Sequence, residues 1–150
     1  MDLVRPDPPF TFHDPEWPFY TRPRYLPGAS LHNCHFNHVI LADGSRVEDS
    51  TVEDSVIGLR TPLRGANVRR ALIMGVDSSY PDAPPGAPPV GIGAGSEIHN
   101  AIVDKNPRIG RNVRIVNARG VRQEDGDGWA IRDGIVVIPK NSVIPDGTVI

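Results

Sequence analysis

Isoleucine stands at positions 138, 144 and 150, one every six residues, and a proline follows each of the first two. An amphipathic helix repeats near 3.6 residues and a half-buried strand near two, so neither accounts for this spacing. A short strand plus a turn does, with one aliphatic pointing inward per six-residue facet. Three facets close a coil, and the inward side chains of successive coils stack along a common axis. The expected architecture is all-β: a parallel β-helix built from hexapeptide repeats.

The rhythm continues upstream. Val47, Val52 and Ile57 recur sixteen residues later as Leu63, Val68 and Ile73. Ile92, Ile98 and Asn100 recur seventeen residues later as Ile109, Ile115 and Asn117. Three full hexads would need eighteen, so some corners are shortened by one or two. Gly58, Gly75, Gly93, Gly110, Asn100 and Asn117 fall at the corners, and these two residue types enter the left-handed backbone region at least cost. A thin core that turns every few residues also explains why only 39% of residues are hydrophobic while Gly numbers 15 and Pro 16.

Two stretches lack the period. Residues 76–90 contain Pro81-Asp82-Ala83-Pro84-Pro85-Gly86-Ala87-Pro88-Pro89, and residues 118–130 contain Glu124-Asp125-Gly126-Asp127-Gly128-Trp129. Both are expected as loops expelled from a corner, the second polar and flexible. Setting them aside leaves roughly five coils at ~4.8 Å per rung. Residues 1–28 are a separate segment, an N-terminal proline-rich strap, and the β-helix domain is expected over 29–150. Between positions 7 and 28 there are six prolines together with Trp17 and Tyr20, which bars a helix interior or a central strand. Aromatics among prolines suggest an extended strap pinned to a neighbouring surface, the alternative being a floppy tail.

A formal net charge of −2 gives no electrostatic case for nucleic acid or an anionic membrane. The single cysteine, Cys34, excludes an internal disulfide and suits a reducing compartment. Neither a membrane span nor a signal peptide is visible, so the expectation is a soluble, cytoplasmic protein.

Lys105 and Lys140 are the only lysines beside fourteen arginines. Each lies two residues after an inward aliphatic, and with 118–130 and its flanks expelled the 35 residues between them make about one coil, so the two should stack at one corner. Two stacked ammonium groups suit a phosphate or carboxylate, although on the residues alone solvated surface lysines are the simpler reading. His32, Cys34, His35 and His38 crowd into seven residues, but the spacing fits no zinc pattern, and solvated corner histidines are the simpler reading. His99, mid-solenoid beside Ile98, is the best candidate general base should the prism be a stand-alone acyltransferase acting on acetyl-CoA.

Certain stretches are more specific than generic hexads. They are Asp54-Ser55-Val56-Ile57-Gly58-Leu59-Arg60, Leu72-Ile73-Met74-Gly75-Val76-Asp77, Ala101-Ile102-Val103-Asp104-Lys105-Asn106-Pro107-Arg108-Ile109-Gly110, and Ile131-Arg132-Asp133-Gly134-Ile135-Val136-Val137-Ile138-Pro139-Lys140. With the strap at 10–24, they make the chain resemble the C-terminal part of glucose-1-phosphate adenylyltransferase (ADP-glucose pyrophosphorylase). That family converts ATP and glucose 1-phosphate to ADP-glucose and diphosphate for glycogen or starch synthesis.

The resemblance implies a left-handed coil, which periodicity alone leaves open. It also implies that catalysis, with Mg2+, belongs to an N-terminal nucleotidyltransferase domain. The present chain would then be the regulatory and oligomerisation half, holding no cofactor and catalytically silent alone. Basic residues of the family's β-helix hold anionic allosteric effectors where the two domains meet, and the matching positions here are Lys105 and Lys140. Lysine at both is similar to members activated by phosphorylated glycolytic intermediates such as 3-phosphoglycerate. The implied partners are the catalytic domain, an anionic sugar-phosphate or three-carbon acid effector, and further copies in a homo-oligomer. Asp77-Ser78-Ser79-Tyr80 departs from the family by lacking an acidic residue after the tyrosine.

Overall fold

A computed structural model describes residues 2–150. After a 3-10 turn at Asp2–Val4, the strands begin with β1 (Ser30–His32), β2 (His35–Leu41), β3 (Arg46–Glu48), β4 (Thr51–Ile57), β5 (Pro62–Arg64) and β6 (Asn67–Ile73). They continue with β7 (Gly91–Ile92), β8 (Glu97–Val103), β9 (Arg108–Ile109) and β10 (Arg114–Ile115). The last are β11 (Gln123–Gly126), β12 (Trp129–Arg132), β13 (Ile135–Ile138) and β14 (Val143–Ile144). Among the described residues no helix is long and apolar enough to cross a membrane.

Apart from β11 and β12, these strands form the three flat faces of a parallel prism. One face is the six-stranded sheet β1-β3-β5-β7-β9-β14. The other two share the seven-residue strands β2, β4, β6 and β8, which bend at their midpoints. At each bend a residue takes positive φ: His38 (52°), Asp54 (46°), Arg70 (49°) and Asn100 (48°). Three extended residues on either side of that corner lie on different faces. The side-chain alternation resets there, which is why a plain two-residue period fails.

Register fixes the core. Val47 pairs with Leu63, Leu63 with Ile92, Ile92 with Ile109, and Ile109 with Ile144. A second column runs Val52, Val68, Ile98, Ile115, and a third Ile57, Ile73, Val103, Ile138. The sixteen- and seventeen-residue repeats are therefore coil lengths. The hexad isoleucines all face inward, Ile138 at 0%, Ile144 at 1% and Ile150 at 6% exposure. Fully burying such a side chain contributes about 1.5–3 kcal/mol, and no coil can collect it without a neighbour above or below.

The shortened corners are held by serines. The buried Ser50 and Ser55 hydroxyls donate to the carbonyls of Glu48 and Glu53, both at 2.6 Å. Each then accepts an amide of the next coil, from Ala66 and Ala71, both at 3.1 Å. Each hydroxyl thus satisfies backbone groups that the tight turn would otherwise leave buried and unpaired.

The excursion at 76–90 is irregular coil. That at 118–130 leaves the prism but is ordered rather than flexible: β11 and β12 form an antiparallel hairpin, and β12 runs antiparallel to β13 before the chain rejoins β8. Asn117 ties its neck, its Nδ2 donating to the carbonyls of Val121 (2.9 Å) and Gly134 (3.1 Å). Ile131 is buried and Trp129 packs against the core. The acidic run 124–127 hid this, because two of its carboxylates engage arginines: Glu124 pairs with Arg119 and Asp125 with Arg132.

The strap is pinned less than its aromatics suggest. Its 3-10 turn packs against β2 and β4, with Val4 buried. Phe10, Phe12 and Phe19 cluster on one another, with ring centroids 5.2 Å apart for Phe12 and Phe19. Trp17, Tyr20 and Tyr25 face solvent at 79%, 95% and 96% exposure. The prism also carries an aliphatic ladder on its outer surface, where Ile40, Val56, Leu72, Ile102 and Val137 pair in register. Leu3 and Phe12 line the groove over part of it.

Candidate functional site

The corner after β8 and β13 brings the two lysines together. Val103 pairs with Ile138, and just beyond that pair the Asn141 amide donates to the Lys105 carbonyl at 2.9 Å. Lys105 and Lys140 therefore occupy equivalent positions on adjacent rungs. Asn106 (φ 59°) and Asn141 (φ 62°), the residues that follow them, turn the corner in the left-handed region.

Between the lysines sits a residue that the repeat does not single out. Asp77 receives Lys105 Nζ on Oδ1 at 3.1 Å and Lys140 Nζ on Oδ2 at 2.8 Å. One carboxylate thus bridges both amines. Asn106, only 3% exposed, fixes it: its Oδ1 accepts the Asp77 amide at 2.8 Å. Asn106 Nδ2 donates to Asp77 Oδ2 at 3.3 Å and to Asn141 Oδ1 at 2.9 Å. Gly75 brings the chain there with φ 94°, where a Cβ would lie 2.3 Å from the Leu59 carbonyl oxygen. The Arg60 guanidinium braces the approach, donating to the Val76 carbonyl at 3.1 Å.

Electrostatically the corner holds two positive charges and one negative charge. The Lys140 ammonium, and after it Lys105, hold the Asp77 carboxyl down at about 2, against a smaller upward push from burial. The same hydrogen bond to Asp77 raises Lys140. All three side chains remain in contact with water, at 42% exposure for Lys105, 49% for Lys140 and 28% for Asp77. An anion in solution can therefore reach both amines.

Arg108 anchors the loop that leaves from Asp77. It is buried, donates to the carbonyls of Pro88 (3.2 Å) and Pro81 (3.0 Å), and places its guanidinium carbon 5.7 Å from the Tyr80 ring centre. In the sequence Asp77, Asn106 and Arg108 were parts of motifs and nothing more, and Asn141 lay just past the end of one. The Lys-Asn pair repeated at 105–106 and 140–141 was the available signal for the asparagines.

The other candidates lie elsewhere. His99 is on β8, in register with Arg69, and its Nε2 is covered and has no hydrogen-bond partner. A general base uses an open nitrogen to take a proton from substrate, and on this ring Nε2 is closed to that role. His38 turns a corner and contacts Asp54 at 3.2 Å, while the Cys34 thiol lies against the carbonyls of His32 (3.1 Å) and Val47 (3.2 Å). His32 and His35 are exposed. Among the described residues no group of three or more His, Cys, Asp or Glu side chains is arranged to hold a metal ion.

The family model described as the GLGC left-handed parallel beta-helix domain matches residues 24–149, from the end of the strap through the last coil. The match supplies the hand of the coil, and it spans both lysines together with Asp77 and the asparagines that hold it. The chain belongs to this family, that of the C-terminal left-handed β-helix domain of glucose-1-phosphate adenylyltransferase.

Proposed function

We propose that this chain is the regulatory and assembly half of a glucose-1-phosphate adenylyltransferase, and that its Lys105–Lys140 corner receives anionic allosteric effectors. The supporting observation is that the only two lysines, 35 residues apart, converge on a single carboxylate. A seat that binds one anionic group through two ammonium donors suits a phosphate or carboxylate of a small metabolite. Because Lys105 and Lys140 match the family positions implied by the resemblance, a phosphorylated glycolytic intermediate is the effector class we favour.

The reaction, and the Mg2+ it uses, are assigned to a nucleotidyltransferase domain outside residues 1–150. The outward aliphatic ladder and the exposed rings of the strap are apolar surface of the kind a partner domain or subunit covers. Association with that domain and with further copies follows from this reading, as does a place in ADP-glucose formation for glycogen synthesis. The test is to change Lys105 and Lys140 together to Gln in an enzyme carrying this domain beside its catalytic one. Activation should weaken by about tenfold or more in effector concentration, as expected when two charge-assisted contacts are lost, with unstimulated turnover preserved. An unchanged activation curve would refute the assignment.

A further inference from the structure

The anion seat is already taken by a group of this chain. Asp77 divides its two carboxylate oxygens between the two ammonium groups, as a bound carboxylate ligand would. We propose that Asp77 is a tethered competitor for the seat, one that selects dianionic phosphoryl groups over monoanions by making every ligand displace a carboxylate. The proposal rests on the effector-site reading above and adds the rule by which the site discriminates.

The discrimination is one of charge. With Asp77 in place the two lysines carry one net positive charge, and Asp104, whose Oδ1 accepts the Lys105 amide at 2.6 Å, adds a further negative group beside them. A monoanion that replaces Asp77 only exchanges like for like and gains nothing electrostatically. A phosphate dianion that replaces it matches both ammonium charges at once. Retaining Asp77 beside that dianion would leave an uncompensated negative charge in the same seat, so binding and displacement go together.

The fold permits the displacement. The Asp77 backbone is tied by its own amide to Asn106 Oδ1, and the loop beyond it by Arg108 to the carbonyls of Pro81 and Pro88. Neither tie involves the carboxylate. Rotation about the Cα–Cβ bond therefore removes it from the lysines without unfolding the loop. The carboxylate's other contact, Asn106 Nδ2 at 3.3 Å, is long for a hydrogen bond, and Nδ2 keeps Asn141 Oδ1 as a partner.

Inorganic phosphate and acetate, titrated separately into the chain, test this by NMR of the lysine ammonium groups and of the Asp77 carboxyl carbon. In the native protein phosphate should shift the Asp77 carbon signal and move its titration midpoint up toward the ordinary carboxylate range, and acetate should do neither. Asp77→Asn should bind phosphate about fivefold tighter, the size expected when two half-exposed ion pairs no longer have to be broken, and should gain acetate binding. Native phosphate binding that leaves the Asp77 carbon unmoved overturns the proposal without calling on any variant. So does an Asp77→Asn chain that binds phosphate no tighter while Lys105→Gln/Lys140→Gln still abolishes binding; the seat then stands and only the competitor falls. Phosphate binding that survives loss of both lysines overturns the seat itself, and the effector-site reading with it.

Discussion

Asn106 and Asn141, 35 residues apart in the chain, share a 2.9 Å hydrogen bond from Nδ2 to Oδ1 across adjacent rungs. Both adopt the left-handed conformation that lets the coil turn, and Asn106 also holds the Asp77 amide. A single amide side chain thus joins the repeat to the charged corner. This juncture has consequences for stability and for the lysines.

Asn106→Ala keeps the backbone but removes the side chain that satisfies the Asp77 amide and Asn141 Oδ1. Leaving such groups unpaired costs about 1–3 kcal/mol, and placing Ala at positive φ adds to that. Urea denaturation should show a loss of that size. The Asp77 carboxyl should also show a higher titration midpoint, because it is no longer held toward the lysines. A variant as stable as the native chain would show that Asn106 is not the keystone of the corner.

The corner should also respond to pH with a defined sign. Asp77 titrates at about 2 when folded, against an ordinary value of 3.8, so the unfolded chain takes up its proton first. Its contribution to stability is complete above the unfolded value and drains away as the pH falls toward 2. Lys140 acts at the other extreme: raised above 10.5, it stabilises fully below that value and ceases to do so as the pH climbs past the raised one. Carbon NMR of the Asp77 carboxyl should give a midpoint near 2 in the native chain, returning toward 3.8 in Lys140→Gln. Molar salt should raise the native midpoint as well, because all three side chains are open to solvent. A midpoint indifferent to Lys140 would contradict the ion pair.

Position along the prism should grade the cost of core truncation. Ile109 is 1% exposed and stacks between Ile92 and Ile144. Ile109→Ala should cost roughly 2–5 kcal/mol. Leu31 pairs with Val47 on one side only and is 50% exposed at the open end of the first coil. Leu31→Ala should therefore cost less than about 1 kcal/mol. Equal costs in urea denaturation would mean that the first coil is capped in solution by something that buries it.

The parallel prism, its coil lengths and its inward columns were legible in the residues because each is a local matter. An aliphatic at Val47, Leu63 or Ile109 must point inward on its own facet, and Asn100 or Gly75 turns its own corner whatever happens elsewhere in the chain. The convergence of Lys105 and Lys140 was legible too, once residues 118–130 were set aside, since equal steps along a regular solenoid return to the same edge. The hand of the coil was not, because the same columns can stack with either hand.

What tertiary structure alone decided lies where the chain leaves the repeat. Asp77 reaches the lysine corner from the start of an irregular excursion, 28 residues before Lys105, and no period governs where such a segment rejoins. The acidic stretch around Glu124 and Asp125 became a hairpin because Arg119 and Arg132 were near enough to pair with it, and Trp129 and Ile131 could reach the core. Trp17, Tyr20 and Tyr25 stayed in water, although their apolar rings alone suggested burial against a neighbouring surface. Regular coils are set by nearest-neighbour stacking, which a sequence displays directly. The electrostatics of the corner depend on which distant charge arrives there, and only the folded chain brings it in.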